Sequence, residues 1–178
     1  MNKYKRWNLA QEYELQWWSK YTESIEWYKS FSEEIISKTS LFIDIDKDTV
    51  ILEIGSGAAG GITYIESENK YAIDPLEKFF SNNKSWTRFR DERVKYYKGI
   101  GEELPFNDDF FDLIIIDNVL DHCKNPIAVL NEVNRTLKMG GLIYFRQNTY
   151  NKWGKLLRMI MEILIIDKGH PFTFTKNN

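Results

Sequence analysis

A single cysteine, Cys123, is all that 178 residues contain, so no intrachain disulfide can staple the fold. Two histidines beside it make a poor ligand set for structural zinc, and no metal site is expected. Such sparing cysteine use reads as a reducing compartment. Long apolar runs are missing as well. The richest stretch, 156–166, is interrupted by Arg158 and Glu162 and falls short of the roughly 20 residues needed to span a bilayer. Residues 1–15 are polar and aromatic and lack the apolar segment and small-residue cleavage site of a secretory signal. The expectation is a cytoplasmic protein without stable membrane insertion. A strong charge of one sign is also absent. The 24 Lys and Arg nearly balance 26 Asp and Glu, which leaves a net charge of -2 and no overall field to draw nucleic acid.

Apolar side chains are plentiful, at 43% hydrophobic and 15% aromatic, enough to build a packed core. At roughly 100 to 200 residues per domain, the length fits one domain. It divides into a helical cap (1–48), a central core (49–146) and a C-terminal cover segment (147–178). Residues 9–37 contain no Gly or Pro. Trp17, Tyr21, Ile25, Tyr28 and Ile35 recur there at steps that keep to one helix face, which predicts one long or two short helices. Beyond residue 48 the period changes. Short β-branched or apolar runs at 50–54, 71–73, 94–97, 113–116 and 142–145 read as strands, the last two as strands buried on both faces. Between those two, Asn125 can cap a helix, Pro126 suits its first turn, Ile127, Leu130, Val133 and Leu137 form a face, and Gly140 ends it. Strand, helix, strand is a right-handed crossover. Its repetition implies an α/β fold with a Rossmann-like, doubly wound, mostly parallel sheet and helices on both faces. Ligand is then expected where the strand order reverses.

The first strand runs into a glycine-rich turn, Gly55-Ser56-Gly57-Ala58-Ala59-Gly60-Gly61, with a helix expected to follow. Gly55, Gly57 and Gly60 satisfy G-x-G-x-x-G, a pattern shared by several nucleotide-binding folds and by ordinary tight turns. Glu53 is more informative. A carboxylate at that strand end is ill matched to a pyrophosphate and well matched to a ligand bearing an ammonium group. Asp74 ends the second strand, where an acidic side chain can accept from both ribose hydroxyls or cap a helix. Pro75 and Leu76 follow, suited to one face of an adenine ring.

Several motifs occur in order: Glu53-Ile-Gly-Ser-Gly57, Ile73-Asp74-Pro75, Gly101-Glu-Glu-Leu-Pro-Phe106, Phe111-Asp112, Val119-Leu-Asp-His122 and Leu137-Lys-Met-Gly-Gly141. Together they resemble the class I S-adenosylmethionine-dependent methyltransferases, in particular the small-molecule group. The resemblance covers about 50–145 and makes the central core cofactor-binding. It implies S-adenosylmethionine as cofactor and a small-molecule acceptor such as a sugar, lipid or biosynthetic intermediate. It also implies residue roles. Gly55, Ser56 and Gly57 would pack on the methionine moiety, with Glu53 near its ammonium through backbone or water. Asp74 would hold the ribose, and Ile100, Gly101 and Glu102 would rim the adenine. Asp117 and Asn118 would face the methionine moiety and the acceptor.

The chain departs from that pattern in three places. Ile100 stands where the family usually has an acidic residue, so adenine recognition is expected to rest on backbone groups, apolar contact or Glu102. Ala59 replaces a third glycine, and Met139 replaces the usual proline. The family fold also continues past its fifth strand, so the final strands are expected to be missing.

Methyl transfer needs alignment and exclusion of water more than a protein nucleophile. His122 is the candidate catalytic base for a hydroxyl or acidic-carbon acceptor, or else fixes its loop by local hydrogen bonds. Tyr13, Trp17, Trp18 or Tyr21 are candidates for an aromatic lid over the sulfonium. Segment 153–166 is expected to form an apolar cover, a subunit contact or a membrane-surface helix. Two other readings are kept: an NAD-dependent oxidoreductase, and a non-catalytic S-adenosylmethionine-binding protein.

Overall fold

The computed structural model describes residues 3–20, 24–164, 166 and 169–176. Two helices, α1 (Lys3–Trp18) and α2 (Ile25–Thr39), precede the sheet. The second is capped by Ser24, whose hydroxyl accepts from the Trp27 amide. Five strands follow: β1 (Val50–Ile54), β2 (Asn69–Asp74), β3 (Val94–Lys98), β4 (Phe111–Asp117) and β5 (Leu137–Arg146). They form one sheet in the order β3-β2-β1-β4-β5 with every pairing parallel. Short helices α3 (Glu77–Ser81) and α4 (Lys84–Thr87) lie between β2 and β3. Helix α5 (Pro126–Thr136) carries the β4–β5 crossover, and α6 (Lys152–Ile163) follows β5.

Alternation along the strands explains their continuous apolar character. Leu52, Ile54, Ile114 and Ile116 face one side and pack with Val129 and Val133 of α5. Ile51, Leu113 and Ile115 face the other, against Phe31 and Ile35 of α2. Both faces are covered, as parallel sheets require. β1 continues to β2 on one flank, while β4 lies on its other flank. The reversal of strand order therefore falls between β1 and β4, and a crevice opens at their carboxyl ends.

Four expectations are corrected. Helix α5 buries Val129, Val133 and Thr136, whereas Ile127 and Leu130 are exposed. Both sets have helical spacing, and only docking against the sheet chooses between them. The helix also stops at Thr136 and not at Gly140, because Leu137 is already extended and paired with Phe111. After β1 there is no α-helix, only a 3-10 turn at Gly61–Tyr64. In the N-terminal stripe, Tyr28 and Ile35 are buried while Trp17 and Ile25 are exposed, and Tyr21 lies outside the described residues.

Candidate active site

The carboxyl end of β1 is held by two buried carboxyl groups. Glu53 turns beneath the glycine loop, where Oε1 accepts from the Gly61 amide (3.2 Å) and Oε2 from the Ile62 amide (2.8 Å). Gly60 allows this contact, since a Cβ there would lie 2.5 Å from Glu53 Oε2. Burial pushes the Glu53 carboxyl up to about 8; the two amides oppose the rise, and nearby Asp117 and Asp74 add to it. From the tip of β2, Asp74 Oδ2 accepts from the Gly57 amide (2.9 Å), and Oδ1 accepts from the Leu76 amide (2.7 Å). Burial raises Asp74 to about 6 against the pull of those amides. The loop is thus tied to both strands before any ligand arrives.

A cleft of about 240 Å³ opens above these tips. Gly55, Gly57, Asp74, Pro75 and Leu76 line one part of it; Ile100, Gly101 and Glu102 line the next. Glu53 and Ser56 do not line it: Glu53 serves the loop from below, and Ser56 is buried within the loop. Glu102 Oε1 accepts from the amides of Lys124 (2.5 Å) and Asn125 (3.1 Å), which pins the start of α5 to the rim. At the tip of β4, Asp117 is paired with Arg146 through two contacts of 2.6 Å. Asn118 adopts a left-handed φ of +52°, donates to Asp117 Oδ1 and accepts from the Asn148 amide. Both residues line the cleft.

Helix α1 forms the outer wall through Trp7, Gln11, Glu14 and Trp18. Three of the four, Trp7, Gln11 and Glu14, were missed by sequence reasoning. Steps of four, three and four along the set mark one helix face, a signal that was present but hidden by the neighbouring rings. Tyr13 and Trp17 point outward, at 41% and 43% exposed, so of the expected lid residues that are described only Trp18 covers the cleft. Trp18 lies so close to Gly57 that a Cβ on that residue would come within 2.9 Å of its ring. Gly57 also has φ +59°, which an L side chain rarely adopts. Phe80 and Trp86 brace Trp18 edge-on, at centroid distances of 5.0 and 5.3 Å.

His122 and Cys123 close the remaining side. Burial lowers the His122 imidazole, and its Nδ1 stands 3.4 Å from Glu14 Oε1 without making a hydrogen bond. Burial raises Glu14 to about 7, with His170 opposing the rise and Asp74 and Asp121 adding to it. The Cys123 thiol is pushed up to about 12 by burial and donates to the Leu120 carbonyl, so it is an inert packing group. Carboxyl groups dominate the polar lining of the cleft, although Arg146 neutralises Asp117. Glu14, Asp74, Glu102 and Asp117 line it, and among its described lining residues there is no Lys or Arg.

A methyltransferase domain family model matches residues 52–145, more than half the chain. The chain belongs to the class I S-adenosylmethionine-dependent methyltransferases. This methyltransferase is 26% identical over 102 residues to sarcosine/dimethylglycine N-methyltransferase of Aphanothece halophytica, covering 54% of this chain and 37% of that protein. It is 34% identical over 96 residues to demethylmenaquinone methyltransferase of Staphylococcus aureus, covering 53% of this chain and 36% of that protein. The chain thus spans little more than a third of the length of these relatives. Among solved structures, Haemonchus contortus phosphoethanolamine N-methyltransferase 1, in complex with phosphoethanolamine and S-adenosylhomocysteine, superposes with a TM-score of 0.67. The identity is 16%, over 85% of this chain and 34% of that one, a likeness of fold. Among the described residues, no helix of the methyltransferase is long and apolar enough to cross a membrane.

Proposed function

We propose that this methyltransferase moves the methyl group of S-adenosylmethionine onto a small-molecule acceptor in the cleft between β1, β4 and α1. The observation that carries the reading is the carboxyl-bearing lining at the strand-order reversal, which has no Lys or Arg among its described residues. Such a wall favours a ligand bearing a sulfonium and an ammonium and disfavours the pyrophosphate of NAD. The oxidoreductase alternative therefore has nothing in its favour here. When bound, S-adenosylmethionine supplies a methyl group on a sulfonium whose sulfur leaves uncharged.

The chain's own residues fit this ligand. Asp74 retains lone pairs beyond its two amide contacts to accept from ribose hydroxyls. Pro75, Leu76 and Ile100 offer apolar surface to the adenine, with Gly101 and Glu102 at its edge. The Gly55-Ser56-Gly57 turn takes the methionine moiety, with Glu53 acting through the loop amides that it holds. Asp117 and Asn118 face the ammonium and the acceptor. Trp18 and Trp7 exclude water, which strengthens every charge contact inside. Where the acceptor is a hydroxyl or an acidic carbon, His122 receives its proton, burial keeping the imidazole neutral and available. The acceptor belongs to the sugars, lipids or biosynthetic intermediates; the two relatives carry different acceptors in their names and do not select one. The location is cytoplasmic. The exposed apolar side chains of α6, Trp153, Leu156, Leu157 and Ile160, form a cover or subunit contact.

Isothermal calorimetry with S-adenosylhomocysteine and with NAD tests the reading. Saturable binding of the first alone is expected. Heat from NAD alone overturns the assignment.

A further inference from the structure

The two histidines of the chain are 48 positions apart in sequence, yet they meet. His122, in the turn after β4, and His170, in the C-terminal segment, have ring centroids 4.5 Å apart. Asp121 joins them, and one ligating atom from each of the three lies within 4.8 Å of the others. Asp121 is only 5% exposed, and its Oδ1 is buried without a hydrogen-bond partner among the described residues. Leaving a carboxylate oxygen in that state is costly unless a cation or donor reaches it. The buried Nδ1 of His122 likewise has no hydrogen-bond partner among the described residues. Two orphaned acceptor positions on adjacent residues, with a second imidazole brought over them, form a built donor set and not a chance cluster of acids.

We propose that Asp121, His122 and His170 bind a divalent transition-metal ion of the zinc, cobalt or manganese type. Imidazole nitrogen with one carboxylate oxygen is the donor mixture such ions take, and three protein ligands leave positions open for water or an acceptor oxygen. The surroundings suit the role. His122 lies between two carboxyl groups, with Nε2 3.9 Å from Asp121 Oδ1 and Nδ1 3.4 Å from Glu14 Oε1, while the Gly169 backbone also meets its ring. One ring nitrogen can therefore serve the ion while the Gly169 backbone holds the ring, as metal-ligating imidazoles usually are held. Arg6 and Arg158 both donate to the His170 carbonyl, and the Phe172 amide donates to the Asp121 carbonyl; these contacts dock the C-terminal segment against the turn after β4. Because His122 also lines the cleft, the ion sits behind the wall next to the acceptor, where it can polarise a hydroxyl or carboxylate oxygen. With the ion bound, His122 serves as its ligand and no longer as the proton acceptor. The site stands apart from the methyl-transfer reading, since metal alone reads it out.

The experiment is a titration of the full chain with cobalt(II), followed by visible absorption, and with zinc(II), followed by imidazole NMR. With only two histidines the NMR readout has two ring sets and no ambiguity. Expected are one ion per chain, ligand-field bands, and displacement of both ring sets together. His170→Ala and Asp121→Asn should each weaken binding by at least about ten-fold, the loss that even outer-shell partners cause. Should either variant fail to fold, the wild-type NMR titration decides alone. The proposal is overturned if millimolar zinc leaves either ring set unmoved, or if a folded His170→Ala variant binds cobalt within two-fold of wild type. Neither result bears on S-adenosylhomocysteine calorimetry, so the two readings fail separately.

Discussion

Asp74 is the residue on which the cofactor reading turns, and its environment makes a pH prediction. Burial holds its carboxyl near 6, above the ordinary value of 3.8, so at pH 5 it is mostly protonated and offers the ribose a poorer acceptor. Affinity for S-adenosylhomocysteine should rise from pH 5 to 8, flattening above the Asp74 value, with the steep limb approaching ten-fold per pH unit. An Asp74→Asn variant should bind weakly and lose that limb, as calorimetry at several pH values would show; an unchanged limb would place the titration elsewhere. The position of Asp74 at a strand end was legible because strand, acid and proline are adjacent in sequence. Glu53 was legible as a special residue but not as a support for the loop, since its partners, the amides of Gly61 and Ile62, are chosen by a turn that the glycine pattern did not reveal.

Helix α1 shows what separates a face from a composition. It is rich in rings, yet the cleft takes Trp7, Gln11, Glu14 and Trp18 and leaves Tyr13 and Trp17 in solvent. Trp18→Ala should weaken S-adenosylmethionine binding by roughly two- to thirty-fold, the range set by a ring facing the sulfonium cation at about 0.5 to 2 kcal/mol. Trp17→Ala should leave it within two-fold. Equal losses from both variants would mean that α1 acts through stability and not as a wall. Helix α5 makes the same point: its cap was readable from Asn125 and Pro126, while its buried face had two equally periodic candidates.

At the scale of the whole molecule, three acidic groups under or beside one cleft are all raised by burial, Glu53 to about 8, Glu14 to about 7 and Asp74 to about 6. Each favours its protonated form in the fold, so its contribution is complete below the unfolded value and is lost as pH climbs through the folded one. Half-buried His122 and His170 are lowered below 6.5 and so cost stability only on the acid side of that value. Above pH 6.5 the raised carboxyls dominate this group. The ligand-free protein should melt at progressively lower temperature from pH 6.5 to 8.5, with each proton difference changing stability by about 1.4 kcal/mol per pH unit. Glu53→Gln, which cannot ionise, should flatten part of that slope in differential scanning calorimetry. A melting temperature that rises across the window would refute the account.

The sequence by itself determined that the chain would form strands buried on both faces, a crossover helix capped at Asn125 and a glycine turn after the first strand. Each of these depends on neighbours within a few positions, where periodicity and backbone preference are local physics. Tertiary structure alone decided which rings of α1 face inward, where the Glu53 carboxyl points and that His122 meets His170. Those outcomes depend on how separate segments dock, and helical spacing leaves more than one face open until the sheet selects one.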